Sequence, residues 1–530
     1  MIDTDYAIIG AGSAGCVVAN RLSATGARVL LVEAGPRDIS PLIHVPAGVA
    51  MLMGHRLYDW KFESEREPRA GGRTFRLPRG RGLGGTSSIN GMNFIRGLPE
   101  DYDGWAQMGC RGWSYADVLP HFKSIESFAG GDDAYRGRSG PLAVETYRTI
   151  LPITHRFVEA AQQAGFTLMD DLNGATREGV GYSQMSRRGR WRASAATAFL
   201  KPAEARSNLR VMTGAHVMRL LFDGRRCTGF AIRRDGEDDT VRVARAVVLS
   251  AGSVGSPHLL QLSGIGPAAH LRALGIDVVR DLPGVGRNLS DHYAVPVSVR
   301  IAGLLTVNQM KRGPRLAWEM LRWLVAGNGA LTFGVTAASV FCRSRPELAA
   351  PDIQMLFFPG SFRPDNIREM EHEPGARLSV SLARPRSRGS IMARSADIRE
   401  PPAIALNYLA DRDDIAVLSA GIGIARRMFA APALRPYVVR ETQPGADAVS
   451  PQALEDHVRA TGSTVHHLAG TCRMGEDAEA VVDSRLRLHG IEGLRVIDAS
   501  VMPVVTSSNI NAPTLMIGEK GARMLIEDGG

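Results

Sequence analysis

Cysteine is scarce in this 530-residue chain: Cys16, Cys110, Cys227, Cys342 and Cys472 are its only five. Their odd number and wide spacing argue against a disulfide framework and leave no metal-like pair, so reduced thiols in a cytoplasmic protein are expected. No His, Asp or Glu grouping has ligand spacing either, and no metal is expected. Long apolar runs are also missing. The most apolar region, about 316–341, is interrupted by Glu319, Arg322, Asn328 and several glycines, so no transmembrane segment is expected. The opening Met1-Ile2-Asp3-Thr4-Asp5 lacks a basic segment and a cleavage site, and no signal peptide is expected. Acids are fewer than bases, 54 against 63, for a net charge of +9. Nucleic-acid binding would want that excess gathered into a stripe with stacking aromatics. The nearest approach is Arg187-Arg188-Gly189-Arg190-Trp191-Arg192; it reads as a solvated surface, and no nucleic-acid partner is expected.

What remains describes a globular chain, 44% hydrophobic and 22% charged. Its length exceeds one ordinary core, so two intertwined domains are expected. Asp5-Tyr6-Ala7-Ile8-Ile9 is a short apolar strand, Gly10-Ala11-Gly12-Ser13-Ala14-Gly15 a turn, and Cys16–Ser23 a helix; Arg28–Val32 is a second strand ending at Glu33. Together they form one right-handed βαβ unit. Gly10 permits the tight turn, Gly12 lets backbone N–H groups approach a pyrophosphate, and Gly15 allows close helix–strand packing. The helix N-terminus supplies the matching positive field. Glu33, at the strand end, is placed to accept from a ribose hydroxyl and to repel a 2′-phosphate, which disfavours NADP.

Two distant apolar runs, Ala246–Ser250 leading into Ala251-Gly252 and Leu494–Ile497 leading into Asp498-Ala499, read as strands of the same sheet, buried on both faces. The cofactor domain is therefore expected from separated segments: 1–150, 195–297 and 461–530. Residues 151–194 and 298–460 have a different texture and are assigned to an α+β substrate-binding domain. Its expected elements are antiparallel strands at Pro351–Phe358 and Arg377–Leu382 and a helix over Asp411–Met428.

The last sixty-odd residues carry the chemistry. His466-His467-Leu468-Ala469-Gly470-Thr471 is followed by the strand ending at Asp498 and by Ser508-Asn509-Ile510-Asn511-Ala512-Pro513-Thr514. Oxidising an alcohol requires removing a hydroxyl proton and delivering the α-hydride to an acceptor. Neutral imidazole is the side chain suited to that proton near neutral pH. Asn509 could donate to the substrate oxygen. Asn511 at an N-cap and Pro513 in the first turn start a helix whose positive end could stabilise an anionic reduced ring; an ordinary helix cap is the plain alternative.

The turn motif alone does not separate FAD from NAD. Two further segments do. Gly80-Arg81-Gly82-Leu83-Gly84-Gly85-Thr86-Ser87-Ser88-Ile89-Asn90-Gly91-Met92-Asn93-Phe94 resembles the first signature of the glucose–methanol–choline (GMC) oxidoreductases. Gly252-Ser253-Val254-Gly255-Ser256-Pro257-His258-Leu259-Leu260-Gln261-Leu262-Ser263-Gly264-Ile265-Gly266 resembles the second. The likeness runs the whole chain, through Leu282–His292 and Arg384–Ser390. It implies an α/β FAD-binding domain of Rossmann-like, glutathione-reductase-like fold and a small-molecule alcohol oxidised at CH–OH. Some members join the flavin covalently to a histidine in the first signature; Ile89 stands there, so non-covalent FAD is implied.

The same resemblance implies which residues touch the cofactor. They are Gly10, Gly12, Ser13, Ala14, Gly15, Glu33 and Ala34 around the first turn, and Arg81, Gly84, Gly85, Thr86, Ser88, Asn90, Gly91 and Met92 in the signature. Val217 would meet adenine through its backbone, with Ala251 and Gly252 nearby. Asp498 and Ala499 would meet ribityl or pyrophosphate, and Asn511, Pro513 and Thr514 the flavin edge.

In the family pattern His467 is the base and Asn509 its partner, while His466 packs or hydrogen-bonds. Leu468 replaces a common proline, which weakens any transfer of substrate specificity. His292, beside Asp291, could suggest a relay but is expected to be structural. Within the family the chain is similar to choline, sorbose and polyethylene-glycol dehydrogenases. Two alternatives share the motifs: an alcohol oxidase using O2, and a flavin-containing hydroxynitrile-type lyase. No motif specifies the electron acceptor (quinone, carrier or O2) or the oligomeric state.

Overall fold

The computed structural model describes residues 2–176, 178–363 and 366–529. Two large sheets organise it. In the first, strand Ile2–Ile9 lies between Val29–Glu33 and Glu237–Leu249, parallel to both. Leu209–Thr213 extends the sheet beyond Val29–Glu33, also parallel. Leu494–Val496 adds in parallel to the end of Glu237–Leu249. Apolar runs such as Val29–Val32 and Val247–Leu249 form its buried centre, because helices cover such sheets on both faces.

Helices Ser13–Ser23 and Asn511–Gly529 pack tightly together, with a Cβ on Gly518 falling only 2.9 Å from the Ala14 Cα. Segments almost 500 residues apart therefore share one core. The sequence reading placed the strands at 246–250 and 494–497 in this sheet, and they lie there. It missed the antiparallel hairpin Ala215–Asp223 and Arg226–Arg234, and it caught only the end of the 13-residue strand Glu237–Leu249. The first half of that strand, Glu-Asp-Asp-Thr-Val-Arg, is largely solvent-facing and lacks the apolar continuity that marked its second half.

The second sheet is antiparallel, in the order Val438–Gln443, Tyr293–Ile301, Gly375–Leu382, Ile353–Phe358, Ala338–Cys342, Gly179–Tyr182. Two of its strands and helix Arg412–Ala430 match the expected elements to within two residues. Alternation divides the sheet. Val295, Val297, Ile353, Met355, Phe357, Leu378 and Val380 are buried in one cluster with residues of helices Pro152–Gln163 and Arg412–Ala430. Phe157 stacks on Phe357 at 4.0 Å, and Gly421 lets its helix approach, since a Cβ there would lie 2.4 Å from Val380. Each such buried side chain contributes roughly 1.5–3 kcal/mol. The opposite face carries Gln354, Leu356, Ser379 and Ser381, and Gln354 reaches Asn509 of the first domain.

Candidate active site

Parallel strands end together, and here their C-terminal ends deliver Gly10, Glu33, Gly214, Ser250 and Ile497 to one edge, the usual place for a nucleotide. The turn leaves no room for side chains. A Cβ on Gly10 would lie 2.5 Å from the Ser250 carbonyl, and one on Gly15 2.0 Å from the Gly10 carbonyl. The signature segment folds onto this turn: Gly84 donates to the Ala11 carbonyl at 2.8 Å, and a Cβ on Gly85 would fall 2.7 Å from the Gly12 Cα. Helix Ser13–Ser23 has no side-chain cap on its first N–H groups, which suits a pyrophosphate.

Most of the expected cofactor residues are tied into this edge by hydrogen bonds. Arg81 donates to the Ala34 carbonyl, the Thr86 hydroxyl accepts from Gly80 N–H, and the Ser88 hydroxyl donates to the Leu83 carbonyl. Asn90 Oδ1 accepts from Met92 N–H, which holds Met92 at a left-handed φ of 66°. Gly91 abuts Val335, where a Cβ would come within 2.4 Å. Ser13 donates to Asn511 Oδ1 at 2.8 Å, joining the two ends of the chain. Ala251 N–H donates to Ser256 Oγ, and Gly470 N–H to the Ala499 carbonyl. Val217 is buried in strand Ala215–Asp223, opposite Ile232, and Gly214 just before that strand donates to the Gly35 carbonyl.

Three expectations change in detail. Glu33 already accepts three backbone N–H groups, from Ala11, Gly35 and Gly82, so it fastens turn to signature and keeps little acceptor capacity for a ribose. Asp498 accepts from Gly252 N–H, Ser256 Oγ and Ser500 N–H, so its carboxylate is turned into the protein. Asn511 is the first helical residue rather than the cap, and its side chain is used by Ser13. Pro513 sits in the first turn, and Thr514 hydrogen-bonds the Ile510 carbonyl through both N–H and Oγ.

Facing this edge, His467 and Asn509 come together, with Nδ2 of Asn509 3.1 Å from Nε2 of His467. Strand Ser463–Thr464 pairs with Tyr293–Ala294, and His466 then takes φ 67°, turning the chain so that His467 points inward. The turn is braced by Thr464 Oγ1 accepting from His466 N–H and by Arg79 donating to the His466 carbonyl. His466 thus shapes the turn.

Several residues of the site were given no part in the chemistry from sequence. Asp291 accepts the His467 N–H at 2.6 Å, and His292 Nδ1 lies 2.8 Å from His467 Nδ1. The expectation of a purely structural His292 is corrected: it contacts the candidate base, and the Asp291-His292 pair was its visible signal. Asp101 accepts from Leu98 N–H and from both N–H and Oγ of Ser507, and Arg384 donates to it, so it anchors the turn before Asn509. Asn93 and Gln354 donate to Asn509 Oδ1 at 2.9 and 3.4 Å. Arg192 is buried and donates to the Ser87 and Asn90 carbonyls under the signature. In sequence it belongs to the 187–192 run read as a solvated surface, whereas Arg187 and Arg192 are both buried.

One set of tautomers satisfies these contacts. The Ala383 carbonyl can only accept, so His292 donates to it from Nε2 and leaves its Nδ1 as an acceptor. His467 must then carry its proton on Nδ1, and Nε2 keeps the lone pair that Asn509 addresses. Burial, with the charged forms of His292, His466 and Arg79 adding to it, holds His467 well below the ordinary histidine value; burial pushes His292 down to about 4. Both rings are neutral near pH 7. Burial also pulls Arg192 down to about 9. Its Nη2 and the Asn93 Oδ1 are buried without a partner, polar atoms that a heterocycle could satisfy. With the glycine cradle, these features fit FAD.

A dinucleotide cleft facing a neutral imidazole and an amide defines a class: cofactor-dependent oxidoreductases acting on CH–OH. Family comparison then specifies it. Residues 4–294 and 385–518 match the N- and C-terminal models of the GMC oxidoreductases, and the chain belongs to that family. It is 42% identical over 526 residues to an oxygen-dependent choline dehydrogenase of Brucella ovis, covering 98% of this chain and 95% of that one. Human mitochondrial choline dehydrogenase is 40% identical over 532 residues, with 98% and 89% covered. Among solved structures, pyridoxine 4-oxidase from Mesorbium loti superposes with a TM-score of 0.88 at 31% identity, covering 98% of both chains. A formate oxidase reaches 0.92 at 25%, covering 99% of this chain and 98% of that one. The protein is an FAD-dependent enzyme that oxidises an alcohol.

Proposed function

We propose that His467 is the general base of this alcohol oxidation and that Asn509 orients the substrate oxygen. The observation that carries this reading is the pair of atoms His467 Nε2 and Asn509 Nδ2, 3.1 Å apart. One is a lone pair and the other a donor. A substrate hydroxyl inserted between them donates its proton to Nε2 and accepts from the amide, so both groups exchange their mutual bond for substrate. Asn93 and Gln354 hold the amide in that sense from behind, and His292 holds the imidazole. As the proton leaves, the Asn509 N–H remains aimed at the oxygen where negative charge develops. Bound FAD supplies the acceptor for the α-hydride at its N5. Gly10–Gly15, Glu33 and the 80–92 signature would hold it, with Ile89 offering no nucleophile for a covalent link. We place the enzyme in the cytoplasm, which suits five buried free thiols.

Choline is the first substrate to test, because of the relatives named for it. A quaternary ammonium favours a carboxylate and aromatic faces. The sheet face that bears Gln354 presents Leu356, Ser379 and Ser381 beside it, which favours uncharged alcohols as the second arm. The test is anaerobic bleaching of the flavin absorbance by a panel of alcohols that includes choline. Bleaching identifies the substrate, and admitting air then separates an oxidase from a dehydrogenase. An enzyme that cleaves a cyanohydrin while no alcohol bleaches its flavin would overturn the reading in favour of a lyase.

A further inference from the structure

Helix Gly313–Ala326 is folded inside out. Its only acid, Glu319, is fully buried, accepts from Ala330 N–H and pairs with Arg322 and Arg315. Trp323 is buried beside it, but most of the helix's large apolar side chains face solvent: Trp318 is 54% exposed, Met320 and Leu321 48%, Leu324 58% and Val325 74%. At 100° per residue these five, with Pro314 and Ala317, fill one uninterrupted arc of roughly 160°, and Arg315 and Arg322 lie on one flank of it. Trp191, 45% exposed, packs edge-on against Trp323 at 5.0 Å and widens the patch.

The helix itself presents exposed charge of one sign, and the nearest acids, Glu145 and Glu369, belong to neighbouring elements. Glu319 is the only acid between His292 and Pro346, and its charge is covered. Lys311, Arg312 and Arg315 gather at the helix N-terminus, while Arg188 and Arg190 lie in the neighbouring strand and turn; Arg190 donates to the Trp323 and Leu324 carbonyls. This is the basic stretch that carried no function in the sequence. Among the described residues no helix is long and apolar enough to cross a membrane, and fourteen residues reach roughly 21 Å.

From this geometry we propose that Gly313–Ala326 docks the enzyme in-plane on an anionic phospholipid surface. Leu321, Leu324 and Val325 would enter the acyl boundary, Trp318 and Trp191 would sit at headgroup depth, and the arginines would meet lipid phosphates. An apolar arc bordered by cations and tryptophan is what such an interface binds, and the helix itself exposes no acid that would repel it. Beyond the helix the chain continues through Gly329 to Val335, which is itself 46% exposed and packs against Gly91 of the signature. Docking would therefore bring one wall of the candidate site close to the bilayer.

The test is co-sedimentation of the full-length holoenzyme with phosphatidylcholine vesicles, with and without phosphatidylglycerol. We expect binding to the anionic vesicles, weakened by salt. Arg312→Glu with Arg315→Glu should lower it by more than about tenfold, and Leu321→Glu with Leu324→Glu should abolish it. Both variants should keep their FAD content and the wild-type rate of flavin bleaching, which shows that they are folded. Quenching of tryptophan fluorescence by brominated lipid should fall in Trp318→Phe. Absence of vesicle binding, or binding that the variants leave unchanged, would overturn the proposal. A wild-type dimer that the leucine variant dissociates would overturn it as well, assigning the face to a second copy of the chain.

Discussion

The His467 imidazole can accept a proton because two neighbours deny it alternatives. Ala383 orients His292, His292 accepts a hydrogen bond from the His467 Nδ1–H, and the lone pair is left on Nε2. His467→Ala should therefore slow flavin reduction by about 10²- to 10⁴-fold while FAD stays bound, as single-turnover bleaching would report. The pH dependence follows from the depressed pKa. A base held below 6.5 remains deprotonated to lower pH than an ordinary histidine, so the acid limb of kcat/KM should lie below pH 6.5. His292→Leu removes the acceptor for Nδ1–H, and since His292 is itself neutral above about pH 4 it removes no charge. We expect kcat to fall about tenfold, the worth of one hydrogen bond, and the acid limb to move further down, because the lost acceptor had favoured the protonated ring. A purely structural defect would leave the limb where it was.

Elements are joined at points where side chains are either absent or fully committed. Gly15 is one of the first kind. Gly15→Ala would press a methyl group to 2.0 Å from the Gly10 carbonyl, and since that atom is backbone of the nucleotide turn, FAD should be lost on purification, read from the absorbance ratio of flavin to protein. Glu126 is one of the second kind. Buried with Arg96 and Arg136, it accepts from both guanidiniums and from Gly137 N–H. Glu126→Ala strands two buried cations and should destabilise the protein by about 3–5 kcal/mol, measured by chemical denaturation. The βαβ unit, the helix over 412–430 and two antiparallel strands were legible because their apolar spacing repeats with the period of the element. The hairpin Ala215–Arg234 was not. One end of it is exposed, and its polar residues blur the alternation.

At the scale of the molecule, the nucleotide edge gathers chain from 2–33, 209–252 and 494–511, so a ligand bound there ties distant segments of one core. Added FAD should raise the melting temperature of the apoprotein, with stabilisation of about 4 kcal/mol at a thousandfold excess over Kd. A melting temperature indifferent to FAD would mean that the edge does not hold it.

The order of glycines, the acid after the second strand, the two signature segments and the His–Asn spacing are written in local sequence. They were enough to determine the cofactor class and the reaction class and to nominate a candidate base. Packing alone decided the rest. That Asp291 and His292 hold residue 467, that Asp101 anchors the turn before Asn509, and that Arg192 lies under the signature are long-range contacts between side chains of ordinary type. The same holds for the inverted helix 313–326. Its sequence reads only as an interrupted apolar stretch, and the burial of Glu319 shows which face was turned outward.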